Sequence, residues 1–269
     1  MMHIQLITIL YLRHISLSHG TIARITHDCP KMKKITSRWV SHQLTDEQKQ
    51  ERVKLCRDSL AKFRNGSWLL CDIIIGDETW IYHRQIGRKS TNASWVSEGE
   101  SLTTIVRRNK FEPKILFYIF LSNSSVVIHA VDEGKTIDHN YYIENCLKSI
   151  VKEIWKQRRS DGTKGIKLLH DNAELHRHSD VINYLTEERI NIMPHPPYSP
   201  DLAPCDHWPN DYIKQNLTDQ PNEKSLVRAV SKVVKNIPKE ESKKTFDKLL
   251  ERMELCINNH GDYFEHLIK

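Results

Sequence analysis

Three aspartates stand where an apolar stretch stops or a loop begins, and not on a repeating charged face: Asp77, Asp171 and Asp206. Asp77 follows Ile73, Ile74 and Ile75 after one glycine, and Asp171 closes the run Lys167-Leu168-Leu169-His170. Both would project from strands whose other residues are core, where a carboxylate is costly unless something cationic pairs with it. Asp206 comes after a proline-rich loop, where Cys205-Asp206-His207-Trp208 would open a helix and the free N–H groups favour a carboxylate on their own account. If the three converge, they form an oxygen-ligand site suited to Mg²⁺ or Mn²⁺. Two such ions suit phosphodiester chemistry, one lowering the pKa of an attacking water or 3′-hydroxyl, the other stabilising the leaving oxygen. Strand-end and helix-cap roles explain the same residues without a metal, and on residue type alone both readings stay open.

Other candidates compete with these. Glu78 adjoins Asp77, but alternation along a strand sends the two to opposite faces, so Glu78 is expected to make a sheet or loop contact. Asp201 sits among prolines and reads as a turn former. His170, His176, His178, His195 and His207 lie near the three aspartates in sequence, and a zinc site could use His176 and His178. Structural zinc needs four tetrahedral ligands, however, and no cysteine pair joins them. Arg88, Lys89, Arg107, Arg108 and Lys110 could grip phosphates or form a solvated basic loop.

The elements that must position these residues show in the periodicities. Thr45-Asp46-Glu47-Gln48 has capping-box spacing, and the charged run to Phe63 reads as a mostly solvated helix ending near Asn65-Gly66. From Cys71 the chain turns β-branched and aromatic, predicting a strand buried on both faces. Further strands are expected at 93–97, 115–121, 125–131, 166–171 and 190–193. Ile143, Leu147, Ile150 and Ile154 recur at helical spacing within an expected helix at 139–158, and another is expected at 176–188. Six of the ten prolines crowd between residues 194 and 209, which predicts a stiff loop. Two closing helices, separated at Pro238, follow from Leu226, Val230, Val233 and Val234 and then from Phe246, Leu249, Leu250 and Met253. Upstream, residues 18–28 are expected to form a short helix, followed by the basic cluster Lys31, Lys33, Lys34 and Arg38. The order of elements points to an α/β mixed sheet.

Composition adds bounds. The 269 residues suffice for one large domain with a smaller N-terminal piece, and the net charge of +6 suits a polyanionic partner without requiring one. Six cysteines without a CxxC pair indicate neither a disulfide framework nor a zinc ribbon, and fit a reducing compartment. The apolar stretch from Ile4 to Leu12 is far shorter than a bilayer span and lacks a basic n-region, so no membrane is expected.

Gly76-Asp77-Glu78-Thr79-Trp80, His170-Asp171-Asn172-Ala173 and Pro196-Pro197-Tyr198-Ser199-Pro200-Asp201-Leu202-Ala203-Pro204-Cys205-Asp206 resemble, in order, the three signature segments of mariner-family DNA transposases. The 34 residues between Asp171 and Asp206 match the interval that defines the family's three-aspartate class. Asn258-Asn259-His260-Gly261-Asp262-Tyr263-Phe264 is similar to the family's ending, and Trp39-Val40-Ser41-His42-Gln43-Leu44 to its interdomain linker, with Ser41 where proline is usual. The resemblance implies a ribonuclease-H-like mixed sheet flanked by helices, with Asp77, Asp171 and Asp206 as metal-binding catalytic residues. It also implies a nuclear homodimer that hydrolyses double-stranded DNA at inverted-repeat ends and joins the freed 3′-hydroxyls to TA target sites. On this reading residues 1–38 are the helical remnant of a helix-turn-helix region, 39–67 a linker and helix, and 68–269 the catalytic domain. With 38 residues before Trp39, where the family carries two helix-turn-helix units, DNA contacts through Lys31, Lys33, Lys34, Arg38, Arg107, Arg108 and Lys110 are expected to be mainly to phosphates. Glu174-Leu175-His176 replaces the family's usual Arg-Pro-His, adding a negative charge near Asp171. A decayed or domesticated DNA-binding relative is the main alternative. A histone methyltransferase is another, because SET–transposase fusions exist, although no stretch resembles a SET domain.

Overall fold

The computed structural model of the chain describes residues 42–85, 112–132 and 134–267, with backbone alone at 206, 207 and 266. The strands are β1 (Ile73–Tyr82), β2 (Lys114–Ser122), β3 (Val126–Ala130), β4 (Lys167–Leu169) and β5 (Asn191–Ile192). They form one sheet in the order β3-β2-β1-β4-β5, antiparallel from β3 through β1 and parallel from β1 to β5. The helices are α1 (Asp46–Arg64), α2 (His139–Tyr141), α3 (Lys148–Gln157), α4 (Ser179–Glu187), α5 (Pro204–His207), α6 (Pro209–Gln215), α7 (Glu223–Lys235) and α8 (Lys239–Asn258). This is the expected α/β mixed sheet flanked by helices.

Both sheet faces are covered, which is why Ile73, Ile74 and Ile75 are all buried. Ile74, Tyr118, Phe120 and Leu168 face α3 and α4, meeting Ile150, Val151, Ile154, Val181 and Leu185. On the opposite face Ile73, Ile75, Leu121 and Leu169 meet α1 and α8 through Cys56, Leu60, Phe246, Leu249 and Met253. Further along that face, Ile81, Phe117 and Ile119 meet Ile213 of α6 and Leu226, Val230 and Val234 of α7. Each such side chain contributes about 1.5–3 kcal/mol on burial. The compact unit begins at Leu44 and includes α1.

Local signals account for most boundaries. Thr45 and Gln48 form the reciprocal capping box of α1, and Asn222 caps α7 with Ser225. The structure departs from the expected pattern in four places. The helix expected over 139–158 is interrupted by a π-helical turn, Tyr142–Leu147, whose extra residue turns Tyr142 and Cys146 into the core. His178 adopts extended backbone, so the helix expected over 176–188 is instead a 3-10 turn, Glu174–Arg177, followed by α4. The helix expected to open at Cys205 begins one residue earlier, at Pro204, and Pro209 begins a second, α6; at both places the missing N–H has no intrahelical partner to lose. Finally α1 is not mostly solvated, because it packs on α8 and buries Arg52 completely. The helix expected at 18–28 and the strand expected at 93–97 lie outside the described residues.

Candidate active site

Two adjacent parallel strands present the first two aspartates. Ile75 of β1 pairs with Leu169 of β4, and Asp77 and Asp171 each stand two residues further on. Neighbouring strands lie about 4.8 Å apart, so this register brings Asp77 and Asp171 level at the end of β4. Asp206 lies on α5, which packs against β1; its carboxylate lies outside the described residues. After it the backbone breaks at Trp208 (φ −141°, ψ −57°) and restarts at Pro209. That break returns the chain over β1, and the Asn210 Nδ2 donates to Asp77 Oδ2 at 2.7 Å.

Asp171 is held on one side and open on the other. Its Oδ1 accepts from the Ala173 N–H at 3.0 Å and from His176 Nδ1 at 2.8 Å. Its Oδ2 accepts no hydrogen bond among the described residues, and the side chain is 58% exposed. The His176 hydrogen bond, and after it the Ala173 N–H, outweigh partial burial and hold the carboxyl down at about 2. It is ionised at neutral pH.

His176 is the link that sequence reasoning missed. Its Nε2 lies 3.0 Å from Glu78 Oε1, so one buried ring bridges Asp171 and Glu78. Burial pushes its pKa down, but the two carboxylates more than offset this and lift it to about 9. With one nitrogen bonded to Asp171 and the other facing Glu78, the ring sits as a cation between two carboxylates. Glu78 does take the sheet face opposite Asp77, as alternation requires, yet reaches Asp171 through this ring. Tyr142, turned inward by the π-helical turn, packs on His176 with ring centroids 4.8 Å apart. His170 stands edge-on to His176 at 4.5 Å, and burial, then His176, push it down to about 3, leaving it neutral.

The remaining candidates are placed as follows. His176 and His178 do not share a site: His178 stacks on His139 at 3.7 Å, beside Asp180. Burial pushes His195 down to about 4, and its backbone oxygen accepts from Asn172 Nδ2 at 2.7 Å. Asp201 is no mere turn former; it is fully buried against Arg52. Glu174 lies exposed in the 3-10 turn after Asp171. Lys31, Lys33, Lys34, Arg38, Arg88, Lys89, Arg107, Arg108 and Lys110, and the side chain of His207, lie outside the described residues.

The arrangement is a set of oxygen donors at a strand edge, with cationic and amide support behind it and one aspartate oxygen left open. Hard divalent cations such as Mg²⁺ or Mn²⁺ fit that donor chemistry.

Comparison with known proteins agrees with this chemistry. Residues 72–226 match the family model described as DDE superfamily endonuclease. The chain is 26% identical over 257 residues to the mariner Mos1 transposase of Drosophila mauritiana, covering 93% of this chain and 72% of that protein. It is 25% identical over 254 residues to the histone-lysine N-methyltransferase SETMAR of Homo sapiens, covering 93% of this chain but only 36% of that protein. A solved Mos1 mariner paired-end complex with Mn superposes with a TM-score of 0.81 at 26% identity, over 94% of this chain and 74% of that one.

Proposed function

From the chain's membership of the DDE superfamily endonucleases, on their mariner branch, we propose that it is a transposase catalytic unit that cuts duplex DNA at transposon ends. The same centre would then join the freed 3′-hydroxyls to TA target sites. The observation that carries this reading is Asp77 and Asp171 level on neighbouring parallel strands, with α5 and its Asp206 packed on β1. Asp77, Asp171 and Asp206 are the residues proposed to hold two Mg²⁺ or Mn²⁺ ions. Metal bound there would supply countercharge at the scissile phosphate and a more acidic attacking water or 3′-hydroxyl. The Mos1 paired-end complex with Mn supports both the metal and the DNA substrate.

The chain's own residues hold that site in shape. His176 and the Ala173 N–H fix Asp171 through Oδ1, which would leave Oδ2 for a cation. Asn210 donates to Asp77 Oδ2. Such partners behind the ligands set their orientation and are worth about 10–100-fold in metal affinity or activity. A homodimer acting on paired DNA ends, in the nucleus, completes the proposal.

A nicking assay on supercoiled plasmid, with Mg²⁺, Mn²⁺ or chelator, tests it. Nicking that needs the ion and stops with chelator is the expected result. DNA binding without nicking under any ion would make the chain a DNA-binding relative without turnover, and neither binding nor nicking would overturn the proposal.

A further inference from the structure

The exposed face of α7 is more strongly basic than that of α8. It carries Lys224, Arg228, Lys232 and Lys235 against a single acid, Glu223. By contrast α8 carries five basic and five acidic side chains. The four cations recur at steps of four, four and three, so they form one stripe, opposite the buried Leu226, Val230 and Val234. All four are exposed, and none pairs with a carboxylate among the described residues. Lys232 and Lys235 suit the negative end of the helix dipole, but Lys224 sits in the first turn, where a cation is disfavoured.

Two hollows adjoin the stripe. A hollow of about 420 Å³ between α6 and α7 is lined by Asn216, Gln220, Lys232 and Asn236, amide donors mixed with a cation. A second hollow of about 420 Å³ lies against Arg228, Ser231, Lys232 and Lys235. Asn210, bonded to Asp77, lies in the first turn of the same short helix that ends beside Asn216. Six residues at 1.5 Å each put Asn216 about 9 Å along the helix from the Asp77 contact. The backbone bond from the Gln220 N–H to the His83 oxygen, 2.8 Å, ties this corner to the end of β1.

We propose that the α7 stripe is a phosphate-tracking surface that holds duplex DNA leading to or from the active centre. This rests on the reading of the chain as an enzyme of duplex DNA. The stripe is about 16 Å long, and one strand rises 3.4 Å per phosphate, so it spans about five phosphates.

The test is the salt dependence of duplex binding by the full chain, followed by fluorescence anisotropy. Neutralising four phosphate contacts in K224A/R228A/K232A/K235A should flatten the slope of log K against log salt by about 3.6. A control with the same charge change on α8, K239A/K243A/K244A/K248A, should shift it by less than about 1. Both sets of side chains are exposed, so thermal melts of the two variants should match the unmodified chain. Equal slopes for the α7 variant and the unmodified chain would overturn the α7 surface, as would an equal loss in both variants. If the unmodified chain fails to bind duplex DNA at all, the proposed function falls with it. A flattened slope in the α7 variant without metal-dependent nicking by the unmodified chain would keep the surface and remove only the catalytic reading.

Discussion

Arg52 of α1 and Asp201 of the 3-10 turn Pro200–Leu202 form a two-point ion pair, Nη1 to Oδ1 at 2.9 Å and Nη2 to Oδ2 at 2.6 Å, with both side chains wholly buried. Arg52 also donates to Ser199 Oγ at 2.6 Å and to the Gly261 oxygen at 2.8 Å, while Arg252 of α8 donates to the Asp201 oxygen at 2.7 Å. The loop that delivers Asp206 is therefore clamped to α1, to α8 and to the chain end. Removing one partner strands a buried charge, so Arg52→Ala or Asp201→Ala should lower the unfolding free energy by about 3–5 kcal/mol. The apolar pair Arg52→Met/Asp201→Leu should recover part of that loss. Urea unfolding of the three variants measures both effects, and a loss below 1 kcal/mol in the single variants would contradict the clamp.

Asp77→Asn and Asp171→Asn keep the side-chain shape and remove the charge that would hold a cation. Each should abolish metal-dependent nicking while circular dichroism keeps the secondary structure of the unmodified chain; Asp171→Asn, which removes a carboxylate from the buried His176, should also lower the melting temperature. Undiminished nicking by either variant at ordinary metal concentration would disprove the assignment.

Glu78→Gln removes one of the two carboxylates that hold His176, without touching Asp171. Glu78 stands two steps behind Asp171, so the metal concentration for half-maximal nicking should rise, by less than the roughly 10–100-fold typical of a group bonded directly to a ligand. An unchanged metal requirement would show that the Glu78–His176 contact does not orient Asp171.

Gly261 has φ +79°, and a Cβ there would run into the Lys49 backbone oxygen; Gly134 has φ +77° with nothing within 4 Å. Gly134→Ala should cost only the conformational penalty, about 1–2 kcal/mol. Gly261→Ala adds a backbone clash and should cost clearly more. Thermal melts of the two variants decide this, and equal melting temperatures would refute the steric argument.

Much of the architecture is legible in the sequence, because the signals are local. Burial on both faces of β1 follows from Ile73-Ile74-Ile75, the start of α1 from Thr45 and Gln48, and the closing helices from their 3.6-residue periodicity. Asp77, Asp171 and Asp206 stand out because each interrupts such a pattern. What the sequence hides is whatever depends on contacts between distant segments. That Tyr142 is buried more deeply than Ile143 goes with a π-helical turn that no residue pattern announces. His176 is nearly a hundred positions from Glu78, yet lies 3.0 Å from it, because the parallel β1–β4 pairing sets the two strand ends together. Arg52 reads as one charge among many on a polar helix, and becomes a buried clamp only when α8 and the proline-rich turn close over it. The sequence by itself determined which residues are candidates for chemistry, since residue type and periodicity are properties of neighbours along the chain. The tertiary structure alone decided which of them support one another, because charge pairing acts over a few ångströms of space however many residues lie between.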